Sequence, residues 1–96
     1  MIIPKEHSRW LWDLKEEDYV YLIKKTKTIA QALRKSFKTD WVQEIVAGMG
    51  IEHTHIHLIP RKEKDNLGEI PTKIINPIPS EKELKKIAET IKSFLN

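Results

Sequence analysis

Apolar residues recur every three or four positions in the first half of the chain, which is the spacing of one helix face. They are Tyr19, Leu22, Ile23, Ile29, Ala30, Leu33 and Phe37. Just before them, Glu16 follows Asp13 by three residues, and we expect Asp13 to cap the helix. The acidic residues of this first turn are favoured by the helix dipole. The pattern predicts a helix over about residues 15–37.

A second helical pattern lies at the end of the sequence. Ser80 and Glu83 have the spacing of a capping box, in which each side chain satisfies a backbone N–H of the other residue. The apolar stripe behind them consists of Leu84, Ile87, Ala88, Ile91, Phe94 and Leu95. This pattern predicts a helix over about residues 81–95.

The chain between the two helices favours strands. Residues 41–46 and 51–59 are rich in β-branched and aromatic side chains, which suit a pleated surface. The glycines between these stretches supply a turn, and we expect Pro60 to end the second strand. The two strands with their short connection predict an antiparallel hairpin. Residues 2–4 add a short strand or strand end.

These elements define an α+β class, a small antiparallel sheet with two helices, in a single domain over residues 1–96. A chain of 96 residues fits one domain and has a thin core. Residues 61–66 are expected to form a charged loop. Residues 67–79, which are interrupted by glycine and proline, are expected to be extended and irregular.

Composition narrows the possible functions. The net charge of +3 is a mild excess, so we expect no nucleic-acid partner, although the positive field favours phosphorylated ligands. The chain has no cysteine, which excludes disulfides and thiolate metal sites. The start has too short an apolar run for a signal peptide, and no stretch approaches the ~20 apolar residues of a membrane span. We therefore expect a cytoplasmic protein with no membrane partner.

The most informative stretch holds three of the four histidines of the chain, His53, His55 and His57. On a strand, residues two apart point to the same face, about 6.6–6.8 Å from one another. Thr54 and Ile56 then point to the other face, toward a core. Histidine is suited to act as a nucleophile or proton carrier near neutral pH, or as a metal ligand.

This stretch resembles the signature of the histidine triad (HIT) family, in which three histidines alternate with apolar residues. The two apolar residues that follow, Leu58 and Ile59, fit the signature, and residues 2–7 are similar to the family's Ile-Pro-Lys-x-His segment. The acidic helix start near Asp13 and the capped C-terminal helix are also similar. The resemblance therefore extends over nearly the whole chain.

The resemblance implies a nucleotide hydrolase or nucleotidyl transferase that acts at an α-phosphate, on a nucleoside phosphoramidate or a dinucleoside polyphosphate. His55 matches the nucleophile, which forms a nucleotidyl-histidine intermediate. His57 and His7 match supporting histidines, and His53 matches the histidine that helps to set the geometry around the nucleophile. The resemblance further implies an AMP-like substrate, no cofactor and no catalytic metal.

The phosphate needs donors and cations to offset its developing charge. We expect Lys5, Arg9 and Arg61 to contribute, and Gly50 to present its backbone N–H. The family often has Gly-Gln-Ser or Gly-Gln-Thr before the triad, whereas this chain keeps the glycine at Gly48 and lacks the Gln and the hydroxyl.

Family members usually carry a helix and a strand pair before the Ile-Pro-Lys segment, and we expect this domain to lack them. The loss of flanking strands exposes a sheet edge, which invites pairing with another chain. We therefore expect a homodimer.

Two alternatives stay open. One is a catalytically weak HIT-like module that binds a nucleotide or phosphate. The other is a metal site, although three alternate histidines span ~13 Å, too far for one ion unless His7 replaces one of them. The tryptophans at positions 10, 12 and 41 either pack in a core or interface or stack on a base.

Overall fold

The computed structural model describes residues 1–48, 50–72 and 77–95. In sequence order, a short 3₁₀ turn is followed by a helix, two strands and a second helix. The elements are the turn Leu11–Asp13, helix α1 (Glu16–Phe37), strand β1 (Trp41–Ile45), strand β2 (His57–Arg61) and helix α2 (Glu81–Ser93). The predicted α+β class, with an antiparallel sheet and two helices, is confirmed.

Helix α1 begins one residue later than predicted, and its predicted cap is wrong. Asp13 ends the 3₁₀ turn, and Lys15 occupies the cap position without a side-chain hydrogen bond. The helix ends at Phe37. The Lys38 N–H still donates to the carbonyl of Arg34, and the left-handed backbone of Lys38 brings the Thr39 N–H to the same carbonyl at 3.1 Å. Leu22 and Leu33 of α1 are buried, as the apolar spacing predicts.

Helix α2 begins as predicted, because the Ser80 hydroxyl accepts a hydrogen bond from the Glu83 N–H at 3.2 Å. It ends at Ser93, two residues before the predicted end, where the Phe94 N–H donates to Ile91. The helix packs against α1. It nevertheless leaves Leu84 51% and Phe94 42% exposed.

Strands β1 and β2 pair antiparallel, with Trp41 opposite Arg61 and Ile45 opposite His57. The predicted antiparallel pairing is confirmed, but the predicted bounds of the second strand are wrong. β2 begins at His57 rather than at residue 51, and it continues through Pro60. The connection between the strands is therefore long. A two-stranded sheet leaves one side of each strand unpaired, so the missing N–H of Pro60 is tolerated.

Residues 54–56 are not part of β2, and they take backbone partners from the N-terminal segment. The N–H and C=O of Ile2 bond the C=O and N–H of Ile56, each at 2.8 Å. The Thr54 N–H donates to the Ser8 carbonyl at 2.6 Å. The predicted strand-like role of Ile2 is thus confirmed as an antiparallel bridge.

The core lies where this bridge meets the inner face of α1. Leu11, Leu22 and Ile56 are its buried members, and Ile56 is fully enclosed. Ile2, Leu14, Tyr19 and Leu58 pack around them. The burial of Thr54 and Ile56 confirms that these two side chains point inward. Each buried large aliphatic side chain stabilises the fold by about 1.5–3 kcal/mol.

Arg61 anchors the chain that follows the sheet. Its guanidinium binds both carboxylate oxygens of Asp65, at 2.7 and 2.9 Å, and donates to Gln43 and to the Gly68 carbonyl. This hydrogen bonding from Arg61 holds the pKa of Asp65 well below its ordinary value.

In agreement with the predicted irregular segment, residues 67–72 and 77–79 form no helix or strand; residues 73–76 lie outside the described residues.

No helix in the described residues is both long enough and apolar enough to cross a membrane.

The Arg61–Asp65 pair predicts a pH-dependent stability. Because the pKa of Asp65 is lowered in the folded state, its contribution is full above about pH 5 and is lost as pH falls below the unfolded value of 3.8. We expect Asp65→Asn to lower Tm by several degrees at pH 7, and the difference from wild type to narrow below about pH 4. Thermal melts between these pH values measure it.

The matched control is Asp40→Asn, which breaks the exposed Arg34–Asp40 ion pair. We expect it to shift Tm by less than about 2 °C, because exposed pairs contribute little. Equal effects of the two substitutions would contradict the anchoring role of Arg61.

Candidate active site

His55 lies at the base of a cleft of about 250 Å³. Only 3% of its surface is exposed, because the neighbouring Thr54 and Ile56 are held by the N-terminal segment. One wall of the cleft comes from residues 9–12 and the other from the loop after β1. The lining residues are Arg9, Trp10, Leu11, Trp12, Val46, Ala47, Gly48, Thr54 and His55.

A backbone hydrogen bond selects the tautomer of His55. The ring Nδ1 lies 2.8 Å from the carbonyl oxygen of His53. A carbonyl oxygen only accepts hydrogen bonds, so Nδ1 must carry the proton. In the neutral ring, Nε2 then holds the free lone pair. The contact therefore makes Nδ1 the donor that orients the ring and leaves Nε2 with the lone pair.

His57 stands beside His55 at the start of β2. The two ring centroids are 4.9 Å apart and the rings are nearly perpendicular. Burial lowers the pKa of His57 from its ordinary value of 6.5, and the nearby charges of His55 and of the amino terminus lower it further. His57 is therefore favoured as a neutral ring, able to exchange a proton near neutral pH.

His53 and His7 form a second pair on the N-terminal side. Their ring centroids are 5.3 Å apart. The Nε2 of His53 donates to the Pro4 carbonyl at 3.0 Å. The predicted row of histidines along one strand face is wrong, since only His57 belongs to β2. All four histidines instead stand as two edge-to-face pairs around the residues that precede β2.

Thr54 connects residues 53–57, which contain three histidines, to residues 9–12, which form one wall of the cleft. Both the N–H and the hydroxyl of Thr54 donate to the Ser8 carbonyl, at 2.6 and 2.8 Å. The Ser8 hydroxyl in turn donates to the carbonyl of Trp10. The Trp10 ring packs so closely on Gly48 that no side chain fits there. Sequence reasoning missed these contacts; the hydroxyl of Thr54, where the family usually has an apolar residue, was their signal.

The four expected phosphate-binding residues lie in different places. Arg9 lines the cleft, over the Trp10 ring and 3.3 Å from Glu52. Gly50 is exposed, with a φ of 89° that favours glycine. Lys5 lines a separate groove. Arg61 is only 3% exposed and its guanidinium is occupied by Asp65 and its other acceptors, an environment that argues against the expected phosphate contact.

The described part of the chain contains no group of three or more His, Asp or Glu side chains arranged to hold a metal ion. The alternative of a histidine metal site therefore has no geometric support among these residues.

Residues 1–64 match the family model of the HIT domain. The chain therefore belongs to the HIT family. It superimposes on the crystal structure of a histidine triad (HIT) protein from Sinorhizobium meliloti 1021 with a TM-score of 0.81, at 24% identity, covering 92% of this chain and 67% of that one. This similarity supports the fold.

Two curated relatives are named for an activity. The chain is 38% identical to adenylylsulfatase HINT3 of Arabidopsis thaliana, over 70% of this chain and 36% of the relative. It is 30% identical to bis(5'-adenosyl)-triphosphatase of Dictyostelium discoideum, over 93% of this chain and 62% of the relative. The chain thus spans about a third to three fifths of the length of these relatives.

The environment of His57 predicts a second pH dependence of stability. Because its pKa is lowered in the folded state, the unfolded chain binds more protons just below pH 6.5. The free energy of unfolding must then fall as pH decreases from about 7.5 to about 5.5. We expect His57→Gln to remove this part of the slope, as measured by urea unfolding across that range.

The control is His7→Gln, because His7 is exposed. It should keep the wild-type slope. A His57→Gln slope equal to that of wild type would show that burial of this ring does not disfavour its charge.

Proposed function

We propose that this chain is a HIT-type nucleotide hydrolase or nucleotidyl transferase that acts at an α-phosphate through a nucleotidyl-histidine intermediate. One observation carries the proposal. His55 is buried at the base of the cleft, and the His53 carbonyl accepts its Nδ1 proton, which leaves Nε2 with the free lone pair.

In the proposed first step, Nε2 of His55 attacks the α-phosphorus. The Nε2–P bond forms as the bond from phosphorus to the leaving group breaks, and the leaving group takes a proton from water. The positive charge that develops on the ring is shared through Nδ1–H with the His53 carbonyl. Water then attacks the same phosphorus, the Nε2–P bond breaks and the attacking water loses a proton to the solvent, which releases the nucleoside monophosphate and restores the neutral ring.

The other histidines have supporting roles in this proposal. His57, with its lowered pKa, exchanges a proton next to His55. His53 and His7 hold the chain around the nucleophile through the Pro4 contact. Arg9 is the cation nearest to the reaction among the expected phosphate ligands, because it lines the cleft. A phosphate that binds there competes with Glu52 for the exposed Arg9 guanidinium.

The names of the two curated relatives support an adenylyl substrate. One is an adenylylsulfatase and the other a bis(5'-adenosyl)-triphosphatase. We therefore infer that the substrate carries an adenylyl group, as in an adenosine phosphoramidate or a diadenosine polyphosphate. The backbone N–H of Gly50 and the side chain of Lys5 remain further proposed phosphate ligands, and both are exposed.

The test is hydrolysis of an adenosine phosphoramidate and of diadenosine tetraphosphate by wild type and by His55→Asn. We expect kcat/KM to fall at least about 1000-fold in His55→Asn, because the nucleophile is removed. Chelator should leave wild-type turnover unchanged. Chelator-sensitive turnover would support a metal site instead, and AMP binding without turnover would support a binding module.

His53→Asn is the matched control for this experiment. It removes the His53 ring and keeps the backbone carbonyl that selects the His55 tautomer. We therefore expect a loss of about 10- to 100-fold, well below that of His55→Asn. Equal losses would contradict the assignment of the nucleophile to His55.

We also infer that the chain acts as a homodimer. The sheet described here has two strands, and α2, which packs against α1, leaves large apolar side chains exposed. A second copy provides cover for such a sheet edge or helix face. Light scattering at micromolar concentration should give about twice the chain mass of 11.3 kDa. A monomeric mass would contradict the dimer.

A further inference from the structure

Hydrogen bonds fix the backbone of residues 8–12 beside the cleft. The Ser8 carbonyl accepts two hydrogen bonds from Thr54, and the Trp10 carbonyl accepts from Ser8 and from the Asp13 N–H. Leu11 is buried in the core. The backbone that carries Trp12 is therefore supported on both sides, and its side chain stands on a fixed turn rather than on a free loop.

The side chain of Trp12 is exposed although its backbone is held. It is 80% exposed, the highest value among the large apolar side chains that the structure describes. It also lines the cleft that contains His55. Its ring lies 6.4 Å from Tyr19, tilted by 35°, so a second aromatic side chain supports it. An exposed aromatic ring on a fixed backbone beside a reactive group has the form of a stacking surface.

The volume of the cleft is consistent with a stacking surface at Trp12. Its volume of about 250 Å³ lies below the usual range for a drug-sized ligand, about 300–1,000 Å³. The cleft thus holds the reacting phosphate and leaves at least one other part of the substrate at its mouth, where Trp12 stands.

We propose that Trp12 is a specificity-determining residue that stacks on an aromatic ring of the substrate next to His55. The inference rests on the proposed function and deepens it. The ring is either the nucleobase or an aromatic leaving group, which share the same flat π-face. Because the backbone that carries the indole is held before binding and Tyr19 lies beside the ring, less conformational freedom is lost on stacking than for a ring on a free loop.

Equilibrium binding of AMP and of ribose 5-phosphate tests the nucleobase. We expect Trp12→Ala to weaken AMP about tenfold, the loss typical of one stacked base, and to leave ribose 5-phosphate unchanged. Trp12→Phe should restore most of the affinity. Trp41→Phe is the control, since the Trp41 ring lies over Arg61 and outside the cleft, and it should bind AMP as wild type does.

Turnover of two adenosine phosphoramidates tests the leaving group, one made from ammonia and one from an aromatic amine. If the leaving group stacks, Trp12→Ala raises KM about tenfold for the aromatic substrate only, with AMP affinity unchanged. In either case kcat for the ammonia substrate should stay within about twofold of wild type, because Trp12 positions a ring and does not react.

Unchanged AMP affinity together with unchanged KM for both substrates would overturn the proposal. So would Trp12 fluorescence, read in a Trp10→Phe/Trp41→Phe variant, that varies with protein concentration and responds neither to AMP nor to the aromatic substrate, since the ring would then be covered by a second copy. The proposed function is tested independently of this proposal. If wild type turns over neither substrate, the comparison of AMP with ribose 5-phosphate still decides the role of Trp12.

Discussion

The main-chain hydrogen bonds between residues 54–56 and the N-terminal segment determine the geometry of the site. They join Ile56 to Ile2 and Thr54 to Ser8 over distances of 2.6–2.8 Å. Residues 54–56 take these partners, and β2 begins only at His57. His55 is consequently buried between two anchored residues, and its ring meets the His53 carbonyl instead of standing in a row on a sheet face.

This arrangement determines which nitrogen of His55 keeps a free lone pair. The backbone carbonyl of His53 decides which nitrogen of His55 carries the proton, so the tautomer does not depend on another titrating side chain. The same anchoring places residues 9–12 along the cleft, which brings a guanidinium and exposed indoles next to the buried ring. A short chain with a small core thus obtains a preorganised site from a few backbone hydrogen bonds.

Local sequence patterns were sufficient to predict the two helices. The bounds of β2 and the arrangement of the site residues involve partners that are distant in the sequence. Ser80 and the apolar spacing of α1 act within one or two turns, so the sequence reveals them. The backbone partners of residues 54–56 lie about fifty residues away in the sequence, which spacing alone does not reveal. Arg61 has the charge of a phosphate ligand, yet Asp65 and nearby carbonyls occupy it. The histidines were predicted from type and spacing, whereas their pairing and the Thr54 anchor came from the tertiary structure.

The central claim is that Nε2 of His55 becomes bonded to the α-phosphorus. Rapid mixing with an adenosine phosphoramidate, followed by denaturation at a pH that preserves phosphorus–nitrogen bonds and by peptide mass spectrometry, tests it most directly. If Nε2 of His55 is the nucleophile, we expect one added adenylyl group on the peptide that contains His55, and none in His55→Asn. An adenylyl group on another residue, or turnover with no adduct on the millisecond timescale while substrate is saturating, would contradict it.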